Sequence, residues 1–197
     1  MSATEPREFP GPTEAVPERG PYDIAAAPPG VPRLDLGSLQ IPAISGVEVR
    51  VQANPDGTIQ QVLLVNGANA LQLGVFAAPR SEGIWDEVRQ EIRQSVSRDG
   101  GTATETYGEY GTELLARVQG PEGPVDIRFV GIDGPRWMVR AAFYGPAATD
   151  PSAAGPLTEC LAGVVVDRGT EAKPVGEPLP LRLPRQAGQP GNAVVDG

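Results

Sequence analysis

Hydrophobic positions change their period in the middle of this chain, and that change marks its central elements. Between Ala70 and Ala77, the residues Leu71, Leu73, Val75 and Ala77 recur at every second position, the spacing of a strand with one buried face. Past Pro79 the apolar residues Ile84, Trp85, Val88, Ile92 and Val96 fall at intervals of one, three, four and four, which places them on one face of a helix. Ser81 stands where it can cap the helix start, and Gly100-Gly101 stands where the helix can stop. The stretch 70–101 therefore reads as a strand, a Pro-Arg corner and an amphipathic helix.

The flanks keep to the two-residue period. Arg33 to Pro42 alternates weakly at Leu34, Leu36, Leu39 and Ile41, a short edge segment ended by Pro42. Val47, Val49 and Val51 alternate with Glu48, Arg50 and Gln52. Asn54-Pro55-Asp56-Gly57 is a hairpin turn, because Pro presets the first dihedral and Gly takes the positive one. Ile59 to Val65 pairs back, and Asn66-Gly67 turns the chain again into Ala70–Ala77. After the helix come four more expected strands, Thr102–Tyr107, Thr112–Val118, Val125–Val130 and Arg136–Tyr144. Asp150-Pro151 is a cap with Pro at the first helical position. Ala154, Leu157 and Leu161 continue at helical spacing. Pro156 demands that this second helix kink there or begin its regular part there. Val164-Val165-Val166 is a short strand or the helix end. These elements predict an α+β domain over residues 34–168: a mainly antiparallel twisted sheet of about seven strands packed with two helices. Trp85, Leu157 and Leu161 would cover the sheet.

Composition sets the limits of that domain. Residues 1–33 carry eight prolines and little apolar content, too little burial to offset the entropy of ordering. They are expected to be a disordered or extended tail. Residues 169–197 form a second Pro-rich tail, but Leu179, Leu181 and Leu183 alternate within Glu177–Pro184, so that part can lie on the domain as an extended arm. The net charge is −9, and acids outnumber bases within 34–168 taken alone, which disfavours nucleic acid as a partner. The chain holds no His and a single cysteine, Cys160. That removes the commonest neutral-pH base and metal ligand, and leaves no disulfide or thiolate cluster. The first residues show no apolar signal region, and no run has the length of a membrane span. A cytoplasmic location without membrane contact is the expectation.

Few residues invite chemistry. Two Pro-Arg corners, Ala78-Pro79-Arg80 and Gly134-Pro135-Arg136, each precede an element bearing a Trp. If the corners meet, Arg80 and Arg136 form an anion pocket near the helix start, with Asp133 and Arg140 alongside. The competing reading is that each Arg holds its turn by pairing with Asp133 or Asp86. Asp86, Glu87 and Glu91 are interleaved with Arg89 and Arg93 as on a solvated helix face. Asp126 and Asp133 are too few oxygens for a hard cation. Cys160 reads as a core or boundary residue, since no His exists to activate it. Tyr107 and Tyr110 form an aromatic spot or simply pack an edge. No phosphate-loop or dinucleotide fingerprint occurs. No catalytic residue, metal or cofactor is expected.

The segments R-L-D-L-G-S-L-Q-I-P (33–42), F-A-A-P-R-S (76–81), I-W-D-E-V-R (84–89) and R-F-V-G-I-D-G-P-R-W (128–137) resemble an uncharacterised actinobacterial domain-of-unknown-function family over most of residues 20–185. The resemblance implies an actinobacterial origin and a cytoplasmic location, and carries no activity, substrate or site residue. The order of strands and helices also looks like that of PsbP-like folds, an analogy of fold that assigns no role. The expected function is that of a non-enzymatic binding or accessory protein with an unidentified protein partner. The alternative is a sensor or enzyme for a small anion held by Arg80 and Arg136.

Overall fold

Alternating segments become a sheet here because tight turns return each strand against the one before it. The computed structural model describes residues 19–184 and the backbone of 193–195. Its strands before the helix are Tyr22–Asp23 (β1), Arg33–Asp35 (β2), Leu39–Pro42 (β3), Glu48–Ala53 (β4), Ile59–Asn66 (β5) and Asn69–Ala77 (β6). The helix is Trp85–Arg98 (α1). After it come Thr102–Gly108 (β7), Gly111–Gly120 (β8), Gly123–Gly134 (β9) and Trp137–Tyr144 (β10). A one-turn helix Pro146–Thr149 (α2), the helix Gly155–Gly163 (α3) and the strands Val165–Val166 (β11) and Ala193–Val195 (β12) complete it.

The large sheet runs β12-β4-β5-β6-β10-β9-β8-β7. Seven of its strands are antiparallel neighbours, and β12 joins the β4 edge in parallel. The fold is α+β. Gly57, at φ +87°, closes the β4–β5 turn, where the Asp56 carboxylate accepts from the Thr58 amide at 2.9 Å. The meander, α1 and the four strands after it lie where periodicity puts them. A smaller sheet, β1-β11-β3-β2, lies apart from it. Residues 22–23 therefore belong to a fold element, although composition groups them with the tail. The parts of the two tails at residues 1–18, 185–192 and 196–197 lie outside the described residues.

The molecule is layered. Val62, Leu64, Leu71, Leu73 and Val75 on the inner face of the large sheet are 0–3% exposed. They pack with Leu39, Ile41, Leu157, Leu161 and Val166 of α3 and the small sheet in the main core. Each fully buried residue of this kind is worth roughly 1.5–3 kcal/mol. Arg128 of β9 belongs to the same face. It lies 4.2 Å from the Phe143 ring centre, donates to the Ala147 carbonyl, and pairs with buried Glu113 at 3.4 Å. Arg128 ties α2 to the sheet, and losing either member of the pair would leave an uncompensated buried charge.

Residues 176–183 complete the sheet where β5 and β6 part. The Leu179 amide donates to Val75 at 2.9 Å, the Ile59 amide donates to Leu181 at 2.9 Å, and the Arg182 amide donates to Leu36 at 3.0 Å. Leu179 is buried in the core, and Leu181 and Leu183 pack against it. Pro178 and Pro180 preset the extended backbone at positions where no amide is needed.

Three local expectations are corrected. Ser81 does not cap α1: the helix starts at Trp85, and its cap position, Ile84, makes no side-chain capping bond. Asp150 caps not the helix but a short 3-10 turn, Pro151–Ala154, through the Ser152 amide, and Pro156 lies in the first turn of α3. Arg89 is not on a solvated face. It is 8% exposed, bonded to Asp86 at 2.8 Å and Glu105 at 3.1 Å, and sits 5.7 Å from the Trp85 ring centre.

Candidate functional site

Antiparallel register lines up residues on the outer face of the large sheet in rows, because opposed residues share a face. One row runs Arg50, Leu63, Gln72, Ala142, Phe129, Leu114, Glu105. The Arg89–Glu105 pair places α1 over the end of that row at Glu105. The helix packs on β7, β8 and β9. Its first turn reaches Met138 and Phe76 through Ile84 and Trp85. Among the described residues no helix lies on the rest of the outer face, on β4, β5, β6 and β10. There Leu63, Val65, Ala70, Gln72, Phe76, Arg140 and Tyr144 are half-buried, while the inner residues of β5 and β6 interleaved with them are sealed in the core.

The two Pro-Arg corners do come together. The Ala78 amide donates to the Arg136 carbonyl at 2.9 Å, and Arg168 Nε donates to the same oxygen at 3.2 Å. Pro135 and Arg136 form the two-residue turn between β9 and β10, with Arg136 in the left-handed region at φ +65°, a conformation uncommon outside glycine. Among the described residues neither the exposed Arg80 side chain nor that of Arg136 makes a hydrogen bond or ion pair.

The free amides at the start of α1 are already taken. Asp133 Oδ1 accepts from the Ile84 amide at 2.9 Å and the Trp85 amide at 3.2 Å. It is the missing cap, supplied from the end of β9 rather than from the residue before the helix, and it complements the helix dipole. The tight fit requires Gly83, where a Cβ would lie 2.4 Å from Asp133 Oδ2. Replacing Asp133 by Ala is expected to lower stability by about 1–2 kcal/mol. In a urea titration that appears as a lower midpoint with unchanged slope, and an unchanged midpoint would refute the capping role.

Arg140 is the fourth expected site residue. It rises between Gly74 of β6 and Gly131 of β9, its register partners. The Trp85 ring occupies the space above Gly131, where a Cβ would lie 2.0 Å from the indole, and its Nε1 donates to Thr112 at 2.7 Å. The Phe76 ring folds over Gly74, and the Arg140 guanidinium stands 5.1 Å from its centre. Burial lowers the Arg140 pKa from its ordinary value, with an opposing influence from Tyr144. The group stays charged. Tyr144 donates to Gln72 Oε1 at 3.1 Å. Among the described residues no carboxylate pairs with Arg140.

A family model described as "Protein of unknown function (DUF3710)" matches residues 20–190. The chain belongs to that family. No curated protein and no solved structure matched the chain. The matched region of this DUF3710 member takes in β1 and the arm at 176–183, both of which hold onto the core.

Arg80, Arg136, Asp133 and Arg140 stand out in the sequence of this DUF3710 chain, whereas the neutral neighbours of Arg140 do not. Gln72 and Phe76 sit at the polar-looking alternate positions of a strand, and only the register shows that they border an arginine. Asp126 and Asp133 form no metal cluster: among the described residues no three His, Cys, Asp or Glu side chains converge. The shallow hollow lined by Gln90, Arg93, Gln94, Ser97 and Arg98 lies on the solvent side of α1. It belongs to one helix and holds none of the residues above. Tyr107 is 87% exposed, whereas Tyr110 donates to the Gly20 carbonyl at 2.8 Å, so the two do not form one aromatic patch.

Cys160 of the DUF3710 chain is fully buried, its sulfur 4.0 Å from the Pro42 carbonyl. Burial, reinforced by the charge of Glu159, pushes its pKa up to about 12. The thiolate is the reactive form. The folded protein at pH 8 is therefore expected to resist iodoacetamide and to take up one equivalent in denaturant. Stoichiometric labelling of the native state would contradict this placement.

Proposed function

We propose that the protein is a non-enzymatic binding or accessory protein that acts through protein–protein contacts, in the cytoplasm. One observation carries the reading: among the described residues half of the outer face of a large sheet is left without a helix, and its side chains mix apolar and polar groups. Leu63, Val65, Ala70 and Phe76 supply apolar area, and Gln72, Arg140 and Tyr144 supply polar contacts. Such mixed faces suit partner binding, with aromatic and arginine anchors near the centre. No helix among the described residues is long and apolar enough to cross a membrane. The acidic balance of the chain argues against nucleic acid as the partner.

Affinity capture from extract of the source cell, using the full chain, tests the reading. The expected result is a set of proteins recovered with the wild type and lost with Leu63→Glu, whose melting temperature stays the same. The same set should persist with Gln94→Glu on the solvent side of α1. Recovery of the protein alone at every salt concentration, or an unchanged set with Leu63→Glu, would overturn it.

A further inference from the structure

We propose that Arg140 is the anchor of a carboxylate-binding site on the open outer face, and that its ligand is a carboxylate carried beside an apolar side chain on a segment of the protein partner. The inference deepens the binding role proposed above and rests on it.

Arg140 has five N–H donors in a planar fork. In this structure its contacts are the Phe76 ring and the field of Tyr144, with no acid among the described residues. A half-buried guanidinium without a counter-charge has given up part of its hydration, and an arriving carboxylate restores those bonds in bidentate form. A second donor is at hand. Gln72 Oε1 is engaged by the Tyr144 hydroxyl, and the Gln72 amide N–H groups have no partner among the described residues.

The acids nearest in register are already occupied. Asp133, in the row of Phe76 and Met138, accepts from two α1 amides. Glu48, in the row of Tyr144, is bonded to Arg50 at 3.2 Å. The Phe76 ring lies over Gly74 and the Trp85 ring over Gly131, the two register neighbours of Arg140, and the half-buried Arg140 keeps part of its surface open to a ligand. Phe76 and Leu63, half-buried on the same face, can receive an apolar group.

Charge favours a carboxylate over a phosphate. The site offers one positive charge and one neutral amide on a chain of net charge −9. A monoanion is matched there, whereas a dianion meets excess negative field. The planar fork also fits a planar carboxylate.

The test is an NMR titration of the full, isotope-labelled chain with an acetylated hexapeptide ending in phenylalanine, with its C-terminal amide, and with inorganic phosphate as separate arms. With the free-acid peptide, the expected result is shifts at the Arg140 Nε–H, the Gly74 and Gly131 amides and the Gln72 side-chain amide. The amidated peptide and phosphate should each bind at least about tenfold more weakly, as loss of one charge-assisted pair implies. Arg140→Gln should weaken the free acid by a similar factor and leave the α1 amide signals unchanged. If that variant unfolds, Arg140→Lys keeps the charge without the fork and should still bind more weakly. Equal binding of acid and amide, tighter binding of phosphate, or shifts confined to other surfaces would overturn the carboxylate site. Partner capture lost with Leu63→Glu would survive that result, so the two readings fail separately.

Discussion

Replacing Trp85 by Ala is expected to leave the protein largely unfolded or aggregated, while Trp85→Phe folds with a lowered melting temperature. Trp85 is 5% exposed and is the largest side chain beneath α1. Its ring lies flat on Gly131, its indole N–H donates to the Thr112 carbonyl at 2.7 Å, and Arg89 stands over its face. Truncation removes the transfer free energy of the ring and leaves a cavity, together roughly 3–5 kcal/mol. It also leaves the Thr112 carbonyl without its donor. A domain usually has ~5–15 kcal/mol in total, so the loss takes a large share of it. Phe keeps most of the apolar area and loses the hydrogen bond. Circular dichroism melts of the two variants check this, and a wild-type melt for Trp85→Ala would mean that α1 is not held to the sheet through this residue.

Removing residues 177–197 is expected to have the larger effect of the two, because the arm is part of the sheet. It takes away Leu179 from the core and the cover provided by Leu181 and Leu183. It also leaves the amides of Ser38, Ile59 and Ala77 and the carbonyls of Leu36, Gly57 and Val75 without partners. Each buried group left unpaired costs about 1–3 kcal/mol. The sum reaches the whole stability of an ordinary domain, so the truncated chain should be insoluble. Leu179→Ala isolates the apolar part and should cost about 2–5 kcal/mol. Soluble expression and native-like melting of the truncated chain would show that the arm is dispensable.

The fold is readable from sequence where periodicity, turn chemistry and length agree. The Val47–Val51 alternation, the Asn54–Gly57 turn and the Asn66-Gly67 turn define three strands in their observed order. The five apolar residues from Ile84 to Val96 define α1. The alternate leucines of the arm show that a Pro-rich segment can still be structural. The small sheet is not readable, because two-residue strands such as Tyr22–Asp23 carry no period and are held by distant partners: Trp137 Nε1 donates to Asp23 at 2.9 Å across most of the chain. The cap of α1 escapes sequence reading for the same reason. Asp133 is far from Ile84 in sequence, and only the β9–β10 turn brings it to the helix. Arg89 looks solvated because its neighbours in sequence are charged, although Glu105 of β7 and the Trp85 ring draw it inward.

The candidate site is legible in sequence only as a set of side chains. Arg140 can be placed on the face of β10 opposite Trp137, but its lack of an acid and its setting between Gly74 and Gly131 depend on the pairing of three strands. Asp133, grouped with the arginines as a possible ligand contact, caps α1 instead of facing a ligand.

Photo-cross-linking in the source cell decides whether the open outer face is the binding surface. A benzophenone side chain is placed, one position at a time, at Leu63 and Gln72 on that face, at Gln94 on the solvent side of α1, and at Tyr107 on the β7 edge. One and the same protein is expected to be captured from positions 63 and 72 and from neither of the others. Capture from 94 or 107 with nothing from 63 and 72 would contradict the open face as the docking surface.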